Sequence, residues 1–174
     1  MATSAYLKLV DYNNVQLKGP SQVEGHANEI ELIHWGWGAD QVLNIGSQTS
    51  GVGAGRITFR SLSITKYLDK TTPVLFQYCC SGKPFKDAVL TLTQPLGNDS
   101  ATTTFFTVDM KLVAVKSVTY GDAADPTETI EFEFGGAVLT FVPHGADGRV
   151  QASVVNGWNR IKNIAMSDPN ASIN

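Results

Sequence analysis

Thr127-Glu128-Thr129-Ile130-Glu131-Phe132-Glu133-Phe134, followed by Gly135-Gly136 and Ala137-Val138-Leu139-Thr140-Phe141, is the stretch that decides the fold. Glu128, Ile130, Phe132 and Phe134 alternate with Thr127, Thr129, Glu131 and Glu133. A period of two places the first set on one sheet face, largely apolar, and the second on the other, wholly polar. Such a strand rests one side on a core and shows the other to water. The glycine pair then predicts a tight hairpin, with Ala137 to Pro143 as the returning strand.

Outward from this stretch, short runs with alternation or with β-branched and aromatic enrichment recur between Gly, Asn, Asp and Pro clusters. They cover Ala5 to Val10, Glu29 to Trp37, Arg56 to Ile64, Ala88 to Gln94, Thr102 to Asp109 and Lys111 to Tyr120, with a shorter one near Gly157 to Ile161. So many strands need two packed sheets or a closed barrel, because a single open sheet leaves a face or an edge uncovered. One segment reads differently. Thr71 and Thr72 offer an N-cap, Pro73 suits the first turn and Gly82 can end the run in the left-handed conformation, which predicts a helix over about Thr72 to Ser81. Val74, Leu75, Phe76, Tyr78, Cys79 and Cys80 make it apolar nearly all round, so it is expected to be buried on most sides and to plug the barrel.

The fold class is therefore mainly β, a compact barrel of two packed antiparallel sheets with one short α-helix. Residues 1–164 form one domain in this reading, and 165–174, polar and containing Pro169, form a flexible tail that frays. The glycine-rich GSQTSGVGAG from Gly46 to Gly55 reads as a mobile projecting loop.

Charge narrows the function classes. Thirteen Lys and Arg stand against 16 Asp and Glu, a formal net charge of -3 with no basic run, which argues against nucleic acid as a partner. No stretch approaches the roughly 18 apolar residues of a membrane span, and MATSAYLKLVDYNN lacks the basic and apolar regions of a secretory signal peptide. Cys79 and Cys80 are adjacent and imply no disulfide framework, so a reducing cytosol is the simplest home for the folded monomer.

Several constellations suggest chemistry and give way to simpler readings. Gly51, Gly53 and Gly55 lead into a strand pattern at Arg56 to Phe59, not into the helix N-terminus that a phosphate-binding loop requires. His26, Glu29, Glu31 and His34 look like a metal cluster, but on a regular strand the glutamates and histidines face opposite ways and the histidines stand roughly 27 Å apart. A solvated polar edge is the expectation there. Ser81, Cys79 or Cys80 with His26, His34 or His144 would be a nucleophile and base, yet there is no Gly-x-Ser-x-Gly elbow and the thiols lie in a helix expected to be buried. Glu131 and Glu133 are expected to face solvent on their strand. No catalytic residue, metal or cofactor is expected. Trp35, Trp37 and Trp158 fit either core packing or an intersubunit face, and Gly36 and Gly38 would let another backbone approach.

Several ordered stretches together resemble one family. His26 to Gly38, with an acidic pair leading into Trp35-Gly36-Trp37-Gly38, is similar to the early strand of the haemolysin-coregulated proteins, Hcp, the tube subunits of bacterial type VI secretion systems. The glycine-rich loop follows, then Ser63-Ile64-Thr65-Lys66-Tyr67-Leu68-Asp69-Lys70-Thr71-Thr72-Pro73 before the single helix, Ser81-Gly82-Lys83 after it, and Gly157-Trp158-Asn159 near the end. The resemblance spans about Ala5 to Asn163.

It implies a non-enzymatic β-barrel that assembles as a homohexameric ring, with rings stacking into a tube that a contracting sheath expels. By the same carry-over, the loop from Ala39 to Gly55 reaches toward the adjacent ring. Trp35, Trp37, Gly46, Gly51, Gly53, Gly55, Lys66, Tyr67 and Trp158 are the residues expected at ring or stacking contacts. Spike, sheath and baseplate are the implied partners, with small effector proteins in the lumen. The protein would wait in the bacterial cytoplasm and then be secreted without a signal peptide. A monomeric ligand-binding barrel and a tube subunit of a phage-tail-like device are the alternatives. Against the first stand Phe59, Phe132, Phe134 and Phe141, all expected to point inward and fill the barrel.

Overall fold

The computed structural model describes residues 3–44, 53–95, 102–121, 124–145 and 149–173. In chain order the elements are β1 (Ser4–Val10), β2 (Ile30–Leu32), β3 (His34–Gly36), β4 (Ala39–Asn44), β5 (Gly53–Phe59), β6 (Leu62–Tyr67), α1 (Thr72–Ser81), β7 (Phe85–Pro95), β8 (Thr102–Tyr120), β9 (Thr127–Phe141), β10 (Val154–Asn159) and β11 (Ile164–Met166). All strand pairings are antiparallel. β2 and β3 are separated only by Ile33, whose N–H bonds the Thr65 carbonyl. Counting them as one kinked strand, hydrogen-bonded neighbours run β1, β2–β3, β6, β9, β8, β7 and back to β1. β10 and β11 extend the sheet from the far half of β9, while β4 and β5 form a separate two-stranded arm.

Leu7, Leu9, Ile30, Leu62, Ile64, Leu90, Met110, Ile130 and Phe132 are fully buried inside this cycle. The alternation of Thr127 to Phe134 is present as read, with Glu128, Ile130, Phe132 and Phe134 buried and their odd-numbered neighbours half-exposed. The hairpin expected at Gly135-Gly136 is absent, because β9 runs straight through the glycines and remains paired to β8. What changes there is parity. Phe134 and Ala137 both enter the core, as do Met110 and Val113 on β8 and Phe85 and Ala88 on β7, each pair three residues apart. Three neighbouring strands therefore switch the parity that faces inward along one line, and the register stays regular across it.

Leu112 adopts φ +51 at this crease, a conformation uncommon for a branched side chain, and packs outward. The same crease explains why the runs expected at Thr102 to Asp109 and Lys111 to Tyr120 are one 19-residue strand. The outer side of the crease is covered by the C-terminal segment. Val138, Met166 and Ile173 form a second apolar cluster there, and a Cβ on Gly135 would lie 2.7 Å from Ile173 Cδ1. The tail expected to fray from Ala165 instead holds Met166 and Ile173 in buried positions.

Other boundaries move for local reasons. Glu29 to Trp37 divides at Ile33, where the pairing partner changes from β1 to β6. Arg56 to Ile64 divides between the arm and the barrel. The helix has the predicted limits, and Gly82 at φ +66 closes it with its N–H on the Tyr78 carbonyl. It does not plug the barrel. Leu75 alone is fully buried, Phe76 and Cys80 are exposed, and α1 lies on the outside against β8, because strand side chains already fill the interior. Phe141, expected inside, is 48% exposed beyond the end of the core.

Gly157 lies where β10 crosses β9 so closely that a Cβ would overlap the Ala137 carbonyl oxygen, a backbone atom that cannot step aside. Gly157→Ala is expected to cost about 2–3 kcal/mol, read as a lower urea midpoint at unchanged m-value.

Candidate functional site

Two neighbourhoods carry the residues singled out by sequence. The first joins the end of β6 to the start of α1. Lys66 and Glu128 are opposite each other in the β6–β9 register, and both point into the barrel. Lys66 Nζ is 2.7 Å from Glu128 Oε1 and 3.0 Å from Asp69 Oδ1, and it also donates to the Tyr67 carbonyl. The Thr72 hydroxyl donates to Glu128 Oε1 at 2.6 Å and accepts from the Asp69 N–H. Asp69 in turn accepts from the Thr71 N–H and hydroxyl.

Neither threonine caps the helix in the expected way; both serve this network. Burial opposes the charge on Asp69, but the Thr71 and Lys66 hydrogen bonds prevail and hold its carboxyl below the ordinary value. Lys66 is thus wholly internal, whereas Tyr67 beside it is 55% exposed, close in sequence to exposed Leu68.

The second neighbourhood is the root of the arm. β4 and β5 pair from Ala39 opposite Phe59 to Asn44 opposite Gly53. Gly53 and Gly55, expected in a mobile loop, belong to β5; Gly46 and Gly51 lie outside the described residues. Asp40 and Arg60 make two hydrogen bonds of 2.7 and 2.8 Å at the root, which hold the exposed Asp40 carboxyl below its ordinary value. Trp37 meets Phe134 edge-on at 5.5 Å, and Phe59 meets the same ring at 6.0 Å. Trp35 and Trp37 both pack against the main core. Trp158 is half-buried opposite Ala137 and is not brought to the other two tryptophans by any ring contact among the described residues.

Sequence reasoning passed over Arg160. Its guanidinium carbon lies 5.1 Å from the Phe59 ring centre and 4.8 Å from that of Phe134, and Nη1 donates to the Phe134 carbonyl and to Glu133. Glu133 also accepts from the Ser61 hydroxyl at 2.6 Å. Partial burial works against its charge, but the bonds from Ser61 and Arg160 outweigh it and lower its pKa. The only available signal was position, directly after the Gly157-Trp158-Asn159 stretch.

The supposed metal cluster resolves into a local pair. His26 Nδ1 is 2.8 Å from Glu29 Oε2, and the His26 ring stacks on Tyr6 at 4.4 Å. Glu29 is buried because the loop before β2 folds back on β1, so the solvated edge expected is absent there, whereas Glu31 and His34 further along are exposed as expected. His144 contacts the Thr103 hydroxyl, and Cys79 Sγ faces the Lys116 carbonyl. Among the described residues no group of three His, Cys, Asp or Glu is placed to hold a metal, and no helix is long and apolar enough to cross a membrane.

The family described as type VI secretion system effector, Hcp, matches residues 6–141. The chain belongs to the Hcp family. It is 33% identical over 168 residues to protein hcp1 of Pseudomonas aeruginosa strain PAO1, covering 94% of this chain and 99% of that protein. A solved type six secretion system protein superposes with TM-score 0.83 at 26% identity, over 95% of this chain and all of the other. Hcp1 from Salmonella typhimurium shares the fold, with TM-score 0.73 at 23% identity and 95% and 100% coverage. As an Hcp protein it is a secreted structural tube subunit of the type VI secretion system, and the hexameric ring follows from that membership.

Removing the cation from the Lys66 network leaves Glu128 buried without its partner. Lys66→Met is expected to cost about 3–5 kcal/mol in urea unfolding, and Lys66→Met with Glu128→Leu to cost less than the sum of the single changes. Asp69 supplies the acid dependence. Its folded pKa is depressed, so its stabilisation is full above the ordinary value of 3.8 and disappears as pH falls through the lower folded value. The stability gap between wild type and Asp69→Asn should be largest near neutrality and narrow below pH 3.8.

Proposed function

We propose that the β4–β5 arm is the element through which one Hcp ring grips the next. The supporting observation is exposure. The arm stands apart from the main sheet and shows Val42 at 71% and Leu43 at 51%, on a two-stranded ribbon of a kind that is marginal alone in water. A second copy of the chain is the natural cover, since a subunit that repeats along an axis presents the same arm to the same acceptor at every step. Trp37 acts from beneath, packed at the root, and Lys66 acts inside the protomer. Tyr67 and Trp158 remain the candidates for contacts within or between rings.

Spike, sheath and baseplate complete the machine in this reading, and small effector proteins occupy the lumen. The protein waits in the bacterial cytoplasm until firing, in keeping with its two unpaired cysteines. The monomeric ligand barrel loses its basis, because Leu, Ile, Val, Met and Phe side chains fill the interior that a ligand would need.

Native mass spectrometry across a concentration range tests the ring, with a closed species expected at about 112 kDa, six copies of 18.7 kDa. Val42→Asp with Leu43→Asp changes two exposed side chains and should leave that ring population intact while abolishing stacked rings in electron micrographs. Stacking equal to wild type would refute the role of the arm.

A further inference from the structure

We infer that Arg160 is the positioning residue of the arm, setting the direction in which β4 and β5 leave the barrel. Its contribution to assembly rests on the arm being the stacking element; the geometry that motivates it does not. Arg160 follows β10, its own N–H bonds the Gly135 carbonyl on β9, and its guanidinium covers both Phe134 of the barrel and Phe59 at the end of the arm. The two rings stand nearly perpendicular, at 79°, and one flat cation spans both.

That arrangement holds the arm from two sides. Trp37 enters it against one part of Phe134, and Phe59 leaves it against another, under Arg160. The Asp40–Arg60 pair has a different task. It is exposed on both partners and ties β4 to the end of β5, holding the ribbon together without attaching it to the barrel. Arg160 makes the attachment: its Nη1 donates to both the Phe134 carbonyl at 2.7 Å and Glu133 at 3.1 Å, which anchors one end of the guanidinium while its face lies over the two rings. A lysine would keep the charge but lose the flat face that lies over both rings.

Hydrogen exchange on the full chain tests this directly. In Arg160→Ala the amides of Ala39–Asn44 and of residues 57–59 should exchange at least tenfold faster than in wild type, with β7 and β8 unchanged, and Arg160→Lys should resemble Arg160→Ala. Unchanged arm exchange, an equal rise in β7 and β8, or a lysine variant that matches wild type would each overturn the proposal.

Stacking is then scored beside the Val42→Asp, Leu43→Asp double variant. If that variant loses stacks and Arg160→Ala does too, with rings retained, positioning is supported. If Arg160→Ala stacks normally while the double variant does not, positioning is overturned. If both stack normally, the stacking role of the arm fails, and Arg160 is judged by exchange alone.

Discussion

A lysine and a glutamate buried face to face constrain much of what surrounds them. Taking Lys66 and Glu128 out of water costs several kcal/mol for each charge, and their mutual attraction offsets this only when the geometry is right. A slip of one residue between β6 and β9 would set Lys66 against Thr127 or Thr129 and leave a carboxylate facing the apolar interior. The register is therefore held by the penalty for getting it wrong. That same ladder joins the kinked β2–β3 strand to the rest of the cycle, and Asp69 and Thr72, which contact Lys66 and Glu128 Oε1 respectively, place the first turn of α1. One charged pair thus bears on barrel closure and helix placement together.

Rigidity is distributed unevenly around this pair, in a way that suits a tube subunit. The body is stiffened twice, by a close-packed interior and by the C-terminal cluster over the crease. The arm has neither. It is attached through aromatic edges and one arginine at its root, so its own shape and its angle to the body are set by different contacts. Rings that repeat along an axis need a constant angle, because a small error in one step is multiplied by every later one.

Much of the fold could be read from alternation alone, since strands with one wet face carry their periodicity openly; the stretch from Thr127 to Phe134 is the clearest case. The misreadings have physical causes. Gly135-Gly136 does interrupt the pattern, but an interruption marks a change of parity as readily as a turn. What distinguishes them is whether the neighbouring strands switch at the same level, which a single strand does not reveal. The helix looked buried because Phe76 and Cys80 are apolar, yet composition does not say whether a neighbour exists to cover them. Arg160 escaped notice because its meaning comes from two phenylalanines more than 20 residues away in the chain. Lys66 was marked by its place in a family stretch, and its role became visible only with Glu128 across from it.

The cyclic pairing has a further bearing on a protein present in many copies. The strands of the cycle have a neighbour on each side over much of their length; among the described residues, edges without a partner strand include residues 114–120 of β8, against which α1 lies, residues 154–156 of β10, the three-residue β11 and the arm. Open edges are where chains aggregate by adding strands to one another. A subunit that must meet its own kind constantly is protected from crowding by keeping most of its strand edges paired within itself.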